Sequence, residues 1–250
     1  MLRAAPLTLE AVPGAVPPAL EAVPGAVPPA LEPSPGTRAW TVDVPAQRGY
    51  AALLAPELLD AAERARAGRF VRAADRDRYV TAHVALRLVL GAVTGTPPAR
   101  VAVDRAPCPG CGGPHGRPVL RDGRRHFSLS HGGSLAVIVC APVPVGVDVE
   151  RIPRAEAVGH VAPKLHPAER AELAALAPAE RPAAFARVWT RKEALLKALG
   201  TGLVRSAAAD YVGSGPFPAA DPAFRLFDLD AGAGHAAAVA LLTAPGTTAS

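Results

Sequence analysis

The stretch SLAVIVCAPVPVGVDVE, residues 134–150, decides how the rest of the chain is arranged. Its pattern predicts an apolar strand, a turn with two prolines and a second strand that ends in GVDVE. Alternate residues of a strand face the same side, so Asp148 and Glu150 share one face while Val147 and Val149 share the other. Two carboxylates beside a core repel each other, and burial increases the repulsion. A bound cation resolves both problems, and carboxylate oxygens suit Mg²⁺.

The metal interpretation of this pair depends on a third carboxylate. Two acids alone also fit a strand end exposed to solvent, where Arg151 balances their charge. Glu193 offers the third one, at the flank of the apolar stripe of a helix predicted over residues 182–199. Lys197 lies one turn further on, and an i,i+4 Glu–Lys pair is equally typical of an ordinary helix surface. Lys192 projects close to the middle of the stripe, where its amine must reach a phosphate or a carboxylate.

Composition limits the class of protein. The 250 residues are 50% hydrophobic and only 4% aromatic, so we expect a core built mainly of Ala, Val and Leu. The formal net charge of +5 favours a nucleic acid, a phosphate-rich ligand or an acidic partner, although a general abundance of Arg explains it equally well. The chain contains no apolar run of membrane length, no disulfide framework and no uninterrupted signal-peptide core, so we expect a cytoplasmic protein.

The chain divides into a tail and two halves. Strand and helix patterns recur over 39–145 and 146–250, which predicts two mixed α/β halves that meet near GVDVE. Residues 1–38 contain LEAVPGAVPPA twice in succession, at 9–19 and 20–30. Prolines exclude a helical repeat, so we expect a disordered, partly polyproline-II tail that either binds a proline-recognising partner or has no essential role. The patterns predict helices over 53–67, 76–93, 155–162, 167–176 and 182–199, and strands over 40–44, 101–104, 127–130, 135–140, 224–228 and 236–243.

Two short motifs precede GVDVE and carry candidate binding residues. FSLSHGG, residues 127–133, ends a predicted strand beside two glycines. There Ser130 and His131 either meet an anion or form a polar turn. GRP, residues 116–118, presents Arg117 from a tight turn after a loop rich in Gly, Pro and Cys.

That loop and a basic stretch each allow two interpretations. Cys108, Cys111 and His115 have the spacing of half a zinc site, but a clear fourth ligand is missing, so zinc and a plain loop both stay open. A dense run of arginines either binds phosphate or is a solvated helix end. Its members are Arg64, Arg66, Arg69, Arg72, Arg76 and Arg78.

Taken together, four motifs resemble in order and spacing the surfactin-type (Sfp-type) 4′-phosphopantetheinyl transferases over residues 40–245. They are GRP at 116–118, FSLSHGG at 127–133, GVDVE at 146–150 and WTRKEALLK at 189–197. That family transfers the phosphopantetheine arm of coenzyme A to a serine of an acyl or peptidyl carrier protein and releases adenosine 3′,5′-bisphosphate. The resemblance implies an α+β (mixed α/β) fold of two similar halves in a pseudo-twofold arrangement, with the active site at their interface.

The resemblance also implies roles for individual residues. Asp148, Glu150 and Glu193 would hold Mg²⁺, with Mn²⁺ as a substitute. Lys197 would stabilise the pyrophosphate and the leaving group, and either Glu193 or a metal-bound water would take the proton of the carrier serine. The residues implied to bind coenzyme A are Arg66, Arg69, Arg117, Ser130, His131, Lys192 and Lys197.

As partner, the resemblance implies an acidic carrier protein, served by a monomer in secondary metabolite biosynthesis, with no binding of nucleic acid or membrane. Two other functions would use the same residues. A Mg²⁺-dependent phosphohydrolase or nuclease would deliver water in place of the serine. A non-catalytic module would bind coenzyme A or nucleic acid and have no activity to lose.

Overall fold

The computed structural model describes residues 2–7, 21–22, 35–123 and 125–243, and these form an α+β fold. The strands are β1 (Leu2–Arg3), β2 (Ala5–Pro6), β3 (Glu21–Ala22), β4 (Arg38–Asp43), β5 (Val103–Arg105), β6 (Pro118–Leu120), β7 (His126–Gly132), β8 (Leu135–Ala141), β9 (Val145–Arg151), β10 (Phe224–Leu229) and β11 (His235–Leu242). The helices are α1 (Val44–Leu58), α2 (Ala61–Ala67), α3 (Ala73–Thr94), α4 (Ala155–Val161), α5 (Pro167–Ala175) and α6 (Arg181–Leu199). Short 3₁₀ turns lie at Pro98–Arg100, Ala162–Lys164 and Gly202–Val204.

Two sheets adjoin at the strands that carry the motifs. One has the order β3-β1-β10-β11-β9, the other β2-β4-β8-β7, and β5 pairs with β6 in a separate ribbon. Strand β9 is antiparallel to β11, with Asp148 opposite Ala238. Across the junction, the backbone N–H of Val147 donates to the hydroxyl of Ser128 at 3.0 Å. The edge strands β7 and β9 therefore bring FSLSHGG beside GVDVE.

The alternation predicted for GVDVE is present in the packing. Val147 and Val149 lie in a core between the two sheets, together with Val137 of β8 and Val239 of β11. Helices α1 and α3 cover the outer face of one sheet, and α4, α5 and α6 cover that of the other. Asp148 faces the opposite way from its valine neighbours, toward α6.

The close contact between α6 and β9 depends on Gly146. A Cβ atom at this position would overlap the carbonyl oxygen of Ala194 and lie 2.5 Å from the amide nitrogen of Ala198. The backbone of α6 therefore packs directly on β9. This contact places Glu193 and Lys197 of α6 beside the acids of the strand.

The helix predicted over 53–67 is wrong, because two helices occupy this part of the chain. Helix α1 begins much earlier, after Asp43 caps its first turn by accepting a hydrogen bond from the N–H of Ala46 at 3.0 Å. Asp60 starts α2 with a capping box, in which Asp60 and Glu63 each accept a hydrogen bond from the other's backbone N–H, at 2.8 and 2.9 Å.

Parts of the predicted tail lie in strands. Strand β1 pairs parallel with β10, and β2 pairs parallel with β4. Residues 8–20 and 23–34 lie outside the described residues, so the disorder expected over 1–38 stays a prediction there. The pseudo-twofold relation between the halves 39–145 and 146–250 also stays a prediction. None of the described helices combines the length and the apolar character that a membrane crossing requires.

Replacing Gly146 by Ala is expected to lower the free energy of unfolding by about 2–3 kcal/mol, because the added methyl group must push α6 away from β9. Urea denaturation measures the change. Gly159→Ala in α4 is the matched control: its added Cβ would meet nothing within 4 Å, and Ala is favoured over Gly in helices by about 1 kcal/mol. A Gly146→Ala variant as stable as the parent would contradict the packing described.

Candidate active site

A cleft of about 1120 Å³ opens where β7 and β9 meet, on the side that faces α3 and α6. Its walls come from α2, α3, the β5–β6 ribbon, β7, β9 and α6. Seven of the residues predicted from the sequence line it: Arg117, Ser130, His131, Asp148, Glu150, Glu193 and Lys197. The fold thus collects side chains from four separate motifs in one concave site, as expected of a ligand pocket.

The centre of the cleft is a hydrogen-bonded cluster of Asp148, Lys197 and Ser130. The Oδ1 atom of Asp148 accepts from the ammonium group of Lys197 at 2.6 Å and from the hydroxyl of Ser130 at 2.8 Å. Lys197 also donates to the Ser130 hydroxyl and to the carbonyl oxygen of Val147, each at 3.0 Å. Asp148 is buried, whereas Lys197 keeps about a third of its side chain exposed. This cluster joins β7, β9 and α6.

The second carboxylate oxygen of Asp148 has a vacant acceptor site. Among the described residues, Oδ2 is buried and has no hydrogen-bond partner. Buried polar atoms are nearly always paired, so an orphaned carboxylate oxygen indicates a missing ligand. A cation fits it better than a neutral donor, because two further acids line the same cleft.

Those two acids, Glu150 and Glu193, are both harder to ionise than usual. Burial, followed by the charge of Asp148, raises the pKa of Glu150 to about 6. The same causes, in the same order, raise the pKa of Glu193. A divalent cation relieves this repulsion, and three carboxylates form a donor set suited to Mg²⁺ or Mn²⁺.

The three acids form an open set. Only Cys108, Cys111 and His115, among the described residues, bring three such donor atoms within 4.8 Å of one another. The acids in the cleft are spaced more widely, which leaves room for water and for oxygen atoms of a substrate. Mg²⁺ is usually held in this way, by a few carboxylates together with phosphate oxygens.

The rim of the cleft carries groups suited to an anion. Arg117 donates through Nη1 to the carbonyl oxygen of Ala198 at 2.9 Å. Its Nε is buried and has no hydrogen-bond partner among the described residues. Burial lowers the pKa of His131, and the neighbouring charges of Arg78 and Lys197 act in the same direction.

Sequence reasoning missed a polar cluster on α3. His83 lines the cleft, contacts Glu63 at 3.1 Å and stacks on Tyr79 with ring centroids 4.0 Å apart. Arg87 pairs with Asp60 and Glu63, each at 2.6 Å. All three α3 residues belong to an apolar-looking helical stripe. The signal in the sequence was the presence of His and Arg within that stripe.

Lys192 is not brought to the cleft. Its ammonium group pairs with the buried Glu169 at 2.8 Å and donates to the carbonyl oxygen of Asp210 at 2.6 Å. Glu169 also accepts from the N–H of Val212 at 2.8 Å. Lys192 thus reaches a carboxylate, one of the two partners expected for it, and the buried pair joins α6 to α5.

Arg66 and Arg69 also lie outside the lining of the cleft. The guanidinium of Arg66 lies over the ring of Phe70, 5.6 Å from its centroid. Arg69 is exposed to solvent just after α2. Glu63, from the same helix as Arg66, lines the cleft, whereas the two arginines lie near the cleft but not in its lining.

The raised pKa of Glu150 makes stability depend on pH. The folded state holds this proton more tightly than the unfolded state, where the pKa is near 4.5. The stabilisation is therefore present below that value and is lost as the pH rises through about 6. Solvent screens this half-buried side chain, so the expected loss is about 1 kcal/mol.

Glu150→Gln is expected to remove this loss, so the variant is more stable than the parent at neutral pH but not in acid. Denaturation with urea across the pH range measures the difference. Glu57→Gln, on the exposed face of α1, is the matched control and should leave the profile unchanged. Parallel profiles for the parent and Glu150→Gln would contradict the assignment.

The part of the chain that builds the acidic centre is similar to known proteins. A family model for the 4′-phosphopantetheinyl transferase superfamily matches residues 144–237, the span that holds all three acids and Lys197. The putative 4′-phosphopantetheinyl transferase slr0495 of Synechocystis sp. is 31% identical over 166 residues, which are 64% of this chain and 63% of that protein. The 4′-phosphopantetheinyl transferase HetI of Nostoc sp. is 32% identical over 155 residues, 59% of this chain and 62% of HetI.

A third relative, the 4′-phosphopantetheinyl transferase psf-1 of Bacillus pumilus, is 29% identical over 143 residues, 56% of this chain and 58% of psf-1. The chain thus spans about three fifths of the length of the curated relatives it matches. The family match falls on the strand and helix that build the acidic centre of the cleft. The chain is therefore similar to the 4′-phosphopantetheinyl transferase superfamily over residues 144–237, and to the three named transferases over longer stretches.

Proposed function

We propose that this protein transfers the 4′-phosphopantetheine arm of coenzyme A to a serine of an apo acyl or peptidyl carrier protein, in a Mg²⁺-dependent reaction that releases adenosine 3′,5′-bisphosphate. The observation that carries the proposal is the paired Asp148–Lys197 centre, which has one carboxylate oxygen unpartnered and lies between Glu150 and Glu193. The names of the three relatives support the same activity.

The three acids would hold the metal. Asp148 offers its buried Oδ2, and Glu150 and Glu193 approach from β9 and α6. A Mg²⁺ ion held there would supply positive charge to offset that of the pyrophosphate and make phosphorus more electrophilic. The acids alone would repel a pyrophosphate, so this floor of the cleft suits coenzyme A only together with a cation.

The positive and neutral donors would hold the phosphates. Arg117 is anchored at the end of α6 and lines the cleft. Ser130 and His131 lie beside it in the lining of the cleft. Lys197, already within hydrogen-bonding distance of Ser130, would contact the pyrophosphate. Arginine binds phosphate with a planar fork of donors, which also orients the ligand.

Either Glu193 or a water held by the metal would act as the general base and accept the proton of the carrier serine. The serine oxygen then bonds to the phosphorus that bears the pantetheine arm, while the bond from this phosphorus to the bridging oxygen breaks. Adenosine 3′,5′-bisphosphate leaves with the electron pair, and the ammonium group of Lys197 stabilises its charge.

The proposed partner is an acidic carrier protein. The formal net charge of +5 would steer such a partner to the cleft. We further propose a cytoplasmic monomer that serves carriers of secondary metabolite biosynthesis.

Incubation with coenzyme A, Mg²⁺ and a panel of apo carriers is expected to add the mass of one phosphopantetheine arm to the carrier, as mass spectrometry detects. Asp148→Asn and Glu193→Gln should each slow transfer by about 10²-fold or more, because they remove a metal ligand or the base. Glu57→Gln makes the same chemical change at an exposed site and should retain the rate.

Circular dichroism confirms that each variant is folded. A folded parent protein that modifies no acyl or peptidyl carrier would refute the proposal. Hydrolysis of phosphate esters without carrier modification would instead favour the Mg²⁺-dependent phosphohydrolase.

A further inference from the structure

The loop between β5 and β6 gathers two thiols and an imidazole. Donor atoms of Cys108, Cys111 and His115 lie within 4.8 Å of one another. The Sγ of Cys111 is 3.0 Å from Nε2 of His115. Around a tetrahedral zinc ion, sulfur and nitrogen ligand atoms are separated by about 3.5–4 Å, as follows from the usual zinc–ligand bond lengths. The three groups are therefore near the spacing that zinc requires.

The backbone around Cys108 is arranged to stabilise a thiolate. The N–H groups of Gly110 and Cys111 donate to the sulfur of Cys108. The N–H of Gly112 donates to the carbonyl oxygen of Cys108 at 2.8 Å, and Gly112 has the left-handed φ of 72° that closes this turn. The thiolate is the form of cysteine that binds metal.

The base of the loop is held firmly. Gly116 donates to the carbonyl oxygen of Ala106, and Ala106 donates to that of Arg117, each at 3.0 Å. A Cβ atom at Gly116 would overlap the Ala106 carbonyl oxygen, so the two strands of the loop are in close contact there. Arg105 adds a hydrogen bond from Nη1 to the carbonyl oxygen of Gly116 at 3.1 Å. The metal-ligand side chains lie beyond this base, where a bound ion would close the tip.

We propose that Cys108, Cys111 and His115 bind a zinc ion that rigidifies the loop leading to Arg117. Two thiolates and an imidazole suit Zn²⁺, whereas Mg²⁺ requires oxygen ligands. No fourth protein donor joins the three within the described part of the chain, so water or another exogenous ligand takes the fourth position. Binding releases the thiol protons to solvent. The site shares no ligand with the acids of the cleft and stands whether or not transfer activity is found.

Metal analysis of the full chain, purified under reducing conditions from zinc-supplemented medium, is expected to find about one zinc ion per chain. Replacement by Co²⁺ should give the near-ultraviolet absorption of a thiolate–cobalt bond. Cys111→Ser and His115→Ala, both at exposed positions, should lose the metal and keep the fold. His160→Ala, at an exposed histidine of α4, and Asp148→Asn should retain it.

Hydrogen exchange tests the second part of the proposal. Removal of zinc by a chelator should speed amide exchange over residues 106–117 and leave α6 unchanged. Protein that binds neither Zn²⁺ nor Co²⁺, that holds iron or copper instead, or that keeps zinc after Cys111→Ser would overturn the site. Equal exchange of the loop with and without zinc would overturn its rigidifying role.

Discussion

The direct backbone contact between α6 and β9 at Gly146 is the constraint on which the site depends. It allows the ammonium group of Lys197 to reach Asp148 at 2.6 Å across the floor of the cleft. Ser130, from the neighbouring sheet, completes the cluster with its hydrogen bond to the same carboxylate oxygen. A residue larger than glycine would separate the helix from the strand and divide this cluster. The packing of α6 on β9 and the assembly of the Asp148–Lys197–Ser130 cluster thus both require glycine at position 146.

The charges of the cluster explain why the cleft suits a cation and an anion together. Three carboxylates and one ammonium group leave an excess of negative charge when all are ionised, and burial makes that excess costly. The pKa values of Glu150 and Glu193 are raised because burial and the charge of Asp148 make ionisation of these two carboxyl groups unfavourable. A divalent cation held by these acids, as we propose, would offset the excess and would turn an acidic floor into a surface that a pyrophosphate can approach. Arg117 at the rim adds the positive charge that a phosphate-bearing ligand requires.

The sequence predicted the side to which a residue faces where the repeat of a strand or a helix determines it. The two-residue period of GVDVE predicted that Asp148 and Val147 face opposite sides of the strand, as they do. The stripe of α6 placed Glu193 only at its flank, and the family resemblance, not the stripe, implied that Glu193 joins Asp148 in one site. The sequence did not predict tertiary pairs. The buried partner of Lys192 is Glu169, from another helix, and no pattern near Lys192 identifies it. The break between α1 and α2 depends on the capping residue Asp60, whose effect outweighed an apparently continuous helical pattern.

The most direct test of the central claim is to measure coenzyme A binding by calorimetry with and without Mg²⁺, in the absence of any carrier protein. If the acids of the cleft hold a cation that bridges to the pyrophosphate, Mg²⁺ should tighten coenzyme A binding by about tenfold or more. Asp148→Asn should abolish most of this gain while the variant remains folded. A Kd that is the same with and without Mg²⁺, and the same in parent and variant, would contradict the account.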